Sequence, residues 1–130
     1  MTRNASSAIV RDVTKYRTVG STVGSVVRLG KALASPLRVR ALGALKGREL
    51  CLCELVELFG TAPSTMSKHM SLLAAVDLVR SRRDGRWTYY SLPEGPVREI
   101  ADALDLVCRM TADDPVVRED IGRSKSLVCR

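Results

Sequence analysis

Aromatic residues are scarce in this chain, with one Trp, one Phe and three Tyr among 130 residues. A core built from it must therefore be mostly aliphatic. Long apolar runs are missing as well. No stretch approaches the roughly 18 residues that a membrane-spanning helix requires, and Met1-Thr2-Arg3-Asn4-Ala5-Ser6-Ser7 leads into no apolar segment with a secretory cleavage pattern. The expectation is a cytoplasmic protein with no membrane contact. The sequence contains no Cys-x-x-Cys, no Gly-rich cofactor loop, no Cys/His pair and no cluster of carboxylates, which argues against an enzyme such as a thiol oxidoreductase or reductase. Acidic residues are in deficit, 14 against 21 Lys and Arg, and the net charge of +7 favours a polyanionic partner.

The remaining composition fits one domain with a modest core, since 45% of residues are hydrophobic. Four cysteines in a reducing compartment read as thiols rather than structural disulfides. Residues 1–22 are polar, with a faint apolar spacing at Ile9, Val13 and Tyr16, and are expected to form a mobile arm able to become helical against a partner. A folded domain is expected over 23–110, followed by a tail over 111–130 that is charged and poorly periodic from Asp113.

Within the domain, Val26, Leu29 or Gly30, and Leu33 recur at helical spacing. Ser35-Pro36 stops that helix and starts a second, because Ser caps and Pro fits a first turn; Leu37, Val39, Leu42 and Leu45 carry it to Gly47. Leu52, Leu55, Val56 and Phe59 form the apolar stripe of a third, short helix. Gly60-Thr61-Ala62 makes a tight turn, and Pro63 opens a fourth helix that runs to about Val76. Two short helices joined by such a turn are a helix-turn-helix. Two strand-like runs follow, Leu78 to Arg82 and Trp87 to Leu92, joined through the hairpin signal Asp84-Gly85. Pro93 and Pro96 introduce a last helix with Val97, Ile100, Leu104 and Val107 on one face. The predicted fold is mainly α with a small β-hairpin, a winged helix-turn-helix. The apolar row of the last helix, together with Val26 and Leu33, predicts a dimer, because a small domain would not leave both solvated.

On the fourth helix Met66, Met70 and Leu73 share one face, Ser64, Lys68 and Ser71 the opposite one, and Thr65 and Ser67 the flanks. Small hydroxyl residues let a helix enter the major groove, and Lys reaches phosphate or guanine. His69, the single histidine, sits at the edge of the apolar face and suits either a packed, hydrogen-bonded position or a DNA contact. Arg80, Arg82, Arg83 and Arg86 cluster at the hairpin, where a basic turn suits phosphate or minor-groove contact. The lone Trp87 is expected to pack the wing onto the domain.

With these residues in view, the chain resembles the ArsR/SmtB family of bacterial metal-sensing repressors over about residues 24–108. Three stretches carry the resemblance: Glu49-Leu50-Cys51-Leu52-Cys53-Glu54-Leu55, Ser67-Lys68-His69-Met70-Ser71-Leu72-Leu73 and Asp84-Gly85-Arg86-Trp87-Thr88-Tyr89-Tyr90-Ser91-Leu92. The first is similar to the inducer site of the arsenite-responsive repressors. The resemblance implies a homodimer paired through its first and last helices, bound to an inverted-repeat operator in double-stranded DNA and released by ligand. It places Ser64, Thr65, Ser67, Lys68 and His69 at recognition-helix positions, Arg83 and Arg86 in the wing, and the metal ligands at Cys51 and Cys53. Arsenite repressors with this motif carry a third cysteine where this chain has Val56, which leaves Cys108 and Cys129 as further candidate donors. The family's other common site joins Asp and His on the last helix, and this chain has no histidine after His69.

Thiolates suit soft ions: As(III) and Sb(III) first, Cd(II) and Pb(II) next, Zn(II) less distinctively. No cofactor is implied beyond such an inducer ion. In a regular helix residues two apart point about 200° from one another. Cys51 and Cys53 can therefore share one small ion only if the first helical turn is unwound or unformed. The same pair could instead sense oxidants or persulfides by forming a disulfide or polysulfide. A purely architectural DNA binder would not need the pair, and two buried small hydrophobes remain the plain alternative.

Overall fold

The computed structural model describes residues 22–127. The proposed arm, apart from Thr22, and Cys129 lie outside them. The first helix, α1 (Val23–Leu33), is capped by Thr22, whose Oγ1 accepts from the Ser25 N–H at 3.0 Å. Ser35 caps α2 (Pro36–Ala44) in the same way, with Pro36 in the first turn. Gly47, at φ +76°, turns the chain into β1 (Leu50–Cys51). The third helix, α3 (Leu52–Phe59), ends at Gly60, whose left-handed backbone (φ +65°) lets its N–H return to the Val56 carbonyl at 2.8 Å. Pro63 then opens α4 (Pro63–Ala75). The helix-turn-helix is built from α3 and α4, as the turn signal predicted.

The wing consists of β2 (Arg80–Asp84) and β3 (Trp87–Ser91). Asp84 pairs with Trp87, so the two-residue turn is Gly85-Arg86 rather than Asp84-Gly85, with Gly85 at φ +62° in the first central position. The sheet has three strands in the order β1-β3-β2, all antiparallel. Strand β1 is absent from the sequence reading. It puts Leu50 opposite Tyr90 and Cys51 opposite Tyr89.

The core is aliphatic with two methionines: Leu42, Leu45, Leu55, Met66, Met70, Leu73, Leu78 and Ile100 are fully buried. Helix α5 (Arg98–Thr111) contributes Ile100 and Leu104 to it. This corrects the expectation that these two face a partner, because the apolar row they belong to is covered within the chain. Among the described residues the large apolar side chains left exposed are Val23, Val26 and Val27 on α1, Leu72 on α4, Val97 at the start of α5, Leu106 and Met110 on α5, and Val116 beyond it.

From Asp113 the chain is not irregular. A further helix, α6 (Pro115–Ser124), starts where Asp114 Oδ1 accepts from the Val116 and Val117 N–H groups. It packs on α2 and α3. Val117 lies so close to Gly43 that a Cβ there would stand 2.9 Å from Val117 Cγ1. Asp120, 1% exposed, accepts two bonds at 2.8 Å from Arg40 of α2, whose guanidinium also lies over Phe59 of α3. Among the described residues no helix is long and apolar enough to cross a membrane.

Candidate functional site

Helix α4 presents two faces. Met66, Met70 and Leu73 are at 0% exposure, whereas Ser64, Thr65, Lys68 and Ser71 are exposed. Its N-cap, Ala62, offers no side-chain bond, so no capping side chain claims the first-turn N–H groups. Ser67 and His69 are half-buried. Burial raises the Tyr90 phenol of β3 above its ordinary pKa, against the opposing pull of Ser67 and Arg83.

His69 Nδ1 lies 2.9 Å from Arg38 Nη1. Arginine only donates, so Nδ1 accepts and the ring proton is left on Nε2. Burial first, and repulsion by Arg38 second, lower the His69 pKa. The same Arg38 donates to the Ala32 carbonyl at 2.7 Å and to the Lys31 carbonyl at 3.0 Å, so it ties the end of α1 to the recognition helix. A groove of about 350 Å³ runs between Arg38 and Ser64, Thr65, Lys68 and His69. Sequence reasoning missed Arg38, because its partners are backbone carbonyls and a histidine 31 residues on.

In the wing Arg80, Arg83 and Arg86 are exposed. Arg82 is also partly exposed but engaged. It donates to both Glu49 oxygens, at 2.7 and 3.1 Å, and lies 4.6 Å from the Tyr89 ring centroid. The Arg82 bonds hold the Glu49 carboxyl below its ordinary pKa, with desolvation opposing. Of the four arginines in the basic turn, Arg82 is thus the one ion-paired among the described residues, while Arg86 lies over the Trp87 ring at 5.2 Å. Arg82, Tyr89 and Cys51 occupy one level across the three strands. Glu49–Arg82 therefore forms a second tie between the wing and the strand that carries a candidate thiol, and nothing in the sequence pattern marked it.

Cys51 is the last residue of β1 and the N-cap of α3, with extended backbone (φ −84°, ψ 164°), and Cys53 is in the first turn of the helix. The unformed turn required for convergence is the arrangement found: Cys51 Sγ and Cys53 Sγ are 2.7 Å apart. Cys51 is fully buried and Cys53 half-buried. Glu54 closes the turn by accepting from the Cys51 N–H at 2.8 Å, a capping-box contact. Among the described residues no three His, Cys, Asp or Glu side chains gather as a metal site. Cys108, half-buried on α5, therefore does not join the pair within one protomer. Trp87 is half-buried and lines one cavity together with Leu52, Cys53, Val56 and Pro63, at the junction of the wing and α3.

Comparison with known proteins agrees with this geometry. The family model described as "Bacterial regulatory protein, arsR family" matches residues 35–81. A transcriptional repressor SmtB homolog from Synechocystis is 42% identical over 77 residues, which cover 56% of this chain and 58% of that protein. The chain thus spans little more than half the length of that relative. The arsenical resistance operon repressor of Staphylococcus aureus is 34% identical over 59% of this chain and 74% of its own length. Among solved structures, the homodimeric winged helix-turn-helix DNA-binding domain of Mb0332 from Mycobacterium bovis aligns with a TM-score of 0.57 and 28% identity, covering 69% of this chain and 81% of that one. On its winged helix-turn-helix fold and its match to these relatives, the chain belongs to the ArsR family of bacterial regulatory proteins.

Proposed function

We propose that the chain is a DNA-binding transcriptional repressor that releases its operator when a soft metal or metalloid ion binds Cys51 and Cys53. Arsenite or antimonite is the leading inducer, and cadmium or lead the alternative. The observation that carries this reading is the convergence of the two sulfurs, 2.7 Å apart, on a strand that pairs directly with the wing. Two adjacent thiolates are a donor set for soft ions, and the arsenical-resistance name of the S. aureus relative favours arsenic among them. Cys129 is the candidate third donor.

Operator DNA is met by Ser64, Thr65, Ser67, Lys68 and His69 from α4 and by Arg83 and Arg86 from the wing. The repressor acts as a homodimer on an inverted repeat. The exposed Val23, Val26, Val27, Leu106 and Met110 supply the apolar surface for pairing, and the Mb0332 domain is described as homodimeric. Coupling runs along the sheet. An ion that spreads or turns the Cys51 and Cys53 side chains acts on β1, which is bonded to β3 and held to β2 by Glu49–Arg82. That route is shorter than the one through α3 and the Gly60 turn.

The spacing of the sulfurs also favours a second reading, in which oxidation or persulfidation of the same pair is the signal. DNA binding by the purified full chain, titrated with arsenite, antimonite, cadmium, lead and zinc under strong reductant, separates the two. Release by an ion while the thiols are kept reduced supports the metal reading. Release only on oxidation supports the redox reading, and no release by either refutes the thiol switch.

A further inference from the structure

Arg38 of α2 is half-buried and lines the groove of about 350 Å³ whose other residues, Ser64, Thr65, Lys68, His69 and Leu72, all belong to α4. No carboxylate lines it. The neighbouring Arg40 is answered by Asp120, and Arg82 by Glu49, but among the described residues neither Arg38 nor Lys68 has an ion pair. We propose that this groove seats one backbone phosphate of the operator, bound by Arg38, by His69 Nε2–H and by the hydroxyls of Ser64 and Thr65. Arg38, which lies outside the helix-turn-helix, is then a DNA contact. The proposal rests on the reading of the chain as a DNA-binding repressor and fixes where one phosphate sits on it.

The inventory of donors carries the argument. Arginine has five N–H groups and no acceptor. Three are spent within the protein: Nε–H on the Ala32 carbonyl at 2.7 Å, one Nη2–H on the Lys31 carbonyl at 3.0 Å, and one Nη1–H on His69 Nδ1 at 2.9 Å. One N–H on each terminal nitrogen is left. His69 spends its only acceptor on Arg38, so its ring offers Nε2–H alone, and burial with the nearby guanidinium favours that neutral form. What remains for a ligand is a set of N–H donors and two hydroxyls around a cation without a counter-ion. Such a set calls for anionic oxygen, and a phosphodiester presents two such atoms.

The shape of the groove favours DNA over a free anion. Ser64, Lys68 and Leu72 are spaced by four residues, so they run in line along the helix. Leu72, 46% exposed, adds an apolar surface against which a deoxyribose can lie and for which a free phosphate has no use. The volume is roughly ten times the ~30 Å³ share of a water molecule, enough for a phosphodiester and the waters around it. The carbonyls that orient Arg38 belong to the last turn of α1. The helix that exposes Val23, Val26 and Val27 for pairing therefore also sets the position of this seat.

The test uses the reduced full chain and a duplex that it selects from random sequence, resynthesised with a neutral methylphosphonate at one linkage at a time. Fluorescence anisotropy is expected to find one linkage in each half-site whose substitution weakens wild-type binding about tenfold, the scale of one hydrogen bond to a charged group. The same substitution should leave binding by Arg38→Gln unchanged, and on the unmodified duplex that variant should have a salt dependence flatter by about one unit per half-site. A purely structural Arg38 would lower affinity while every linkage kept its wild-type penalty, and that result overturns the assignment. Arg38→Gln also gives up the bonds to Ala32 and Lys31, so a Ser64→Ala/Thr65→Ala double variant, changed only at exposed positions, is the second probe. There the same linkage should lose part of its penalty, and an undiminished penalty overturns the assignment whether or not Arg38→Gln folds. Inorganic phosphate that displaces DNA from wild type at fixed ionic strength, but not from Arg38→Gln, would give the groove to a free anion instead. If wild type selects no duplex, the DNA-binding reading falls and the seat with it; if a duplex is bound but no linkage couples to Arg38, the seat alone falls.

Discussion

Replacing Asp120 by Ala removes the carboxylate that, among the described residues, is hydrogen-bonded to Arg40 between α6 and α3. Both Arg40–Asp120 bonds are 2.8 Å long, and the Asp120 side chain is 2% exposed against 35% for Arg40. A fully buried pair broken on one side costs about 3–5 kcal/mol, whereas exposed pairs are worth about 1 kcal/mol or less. Here the guanidinium left behind can rehydrate, so solvent screening discounts the loss to about 2 kcal/mol. For a domain of this size that lowers Tm by roughly 6–10 °C, and the protein concentration must be held fixed because pairing into dimers adds to apparent stability. Thermal and urea unfolding measure the loss, and amide exchange should place it in α6 and at the Phe59 end of α3. The pair is largely shielded, so the difference between variant and wild type should persist at high salt. A loss below about 0.5 kcal/mol, or one abolished by salt, would refute the view that this ion pair fastens α6 to the domain.

Other expectations follow from the DNA-facing surface and its ties. Lys68→Ala should weaken operator binding and alter sequence preference, while Arg83→Ala or Arg86→Ala should weaken binding to all sequences and flatten the salt dependence by about one unit per lost phosphate contact; fluorescence anisotropy across a salt series measures both effects. The lowered His69 pKa means the folded state favours the neutral ring. Its contribution to stability is complete above the unfolded value near 6.5 and is lost as pH falls toward the lower folded value, so His69→Gln should flatten the stability–pH curve below that point and leave it unchanged above. Glu49→Gln frees Arg82 from its carboxylate partner. It should leave stability little changed, tighten DNA binding at low salt and raise the inducer concentration needed for release; unchanged release would remove the ion pair from the coupling route.

The helix-turn-helix was legible because its punctuation is chemical. Pro63 fits a first turn, Gly60 supplies the left-handed residue, and Leu52, Leu55 and Phe59 keep a helical period. The hairpin was legible through Asp84-Gly85, although the turn itself sits one residue further on. Strand β1 was not, since two residues are too few to alternate and its existence depends on Tyr89 and Tyr90 far along the chain. Helix α6 was hidden for a different reason. Its buried face is Val117, a charged Asp120 and Ser124, so no apolar period announces it, and the partner that makes Asp120 tolerable is 80 residues away. The row on α5 was read correctly as apolar, but a pattern names a buried face without naming what covers it, and Ile100 and Leu104 are covered by their own chain. The Cys-x-Cys spacing was plain. Its convergence depends on Cys51 standing just outside the helix, a one-residue boundary that composition does not resolve.

Release of DNA by arsenite under reductant, compared between wild type and the Cys51→Ser and Cys53→Ser variants, tests the thiol switch most directly. A duplex selected by the protein from random sequence serves as operator. Neither residue lies on α4 or in the wing, and a serine hydroxyl is a poor donor to a soft ion at neutral pH. All three proteins should therefore bind the duplex with nearly equal affinity, while arsenite displaces only the wild type at low concentration. Displacement of either variant at the same arsenite concentration as wild type would contradict the account.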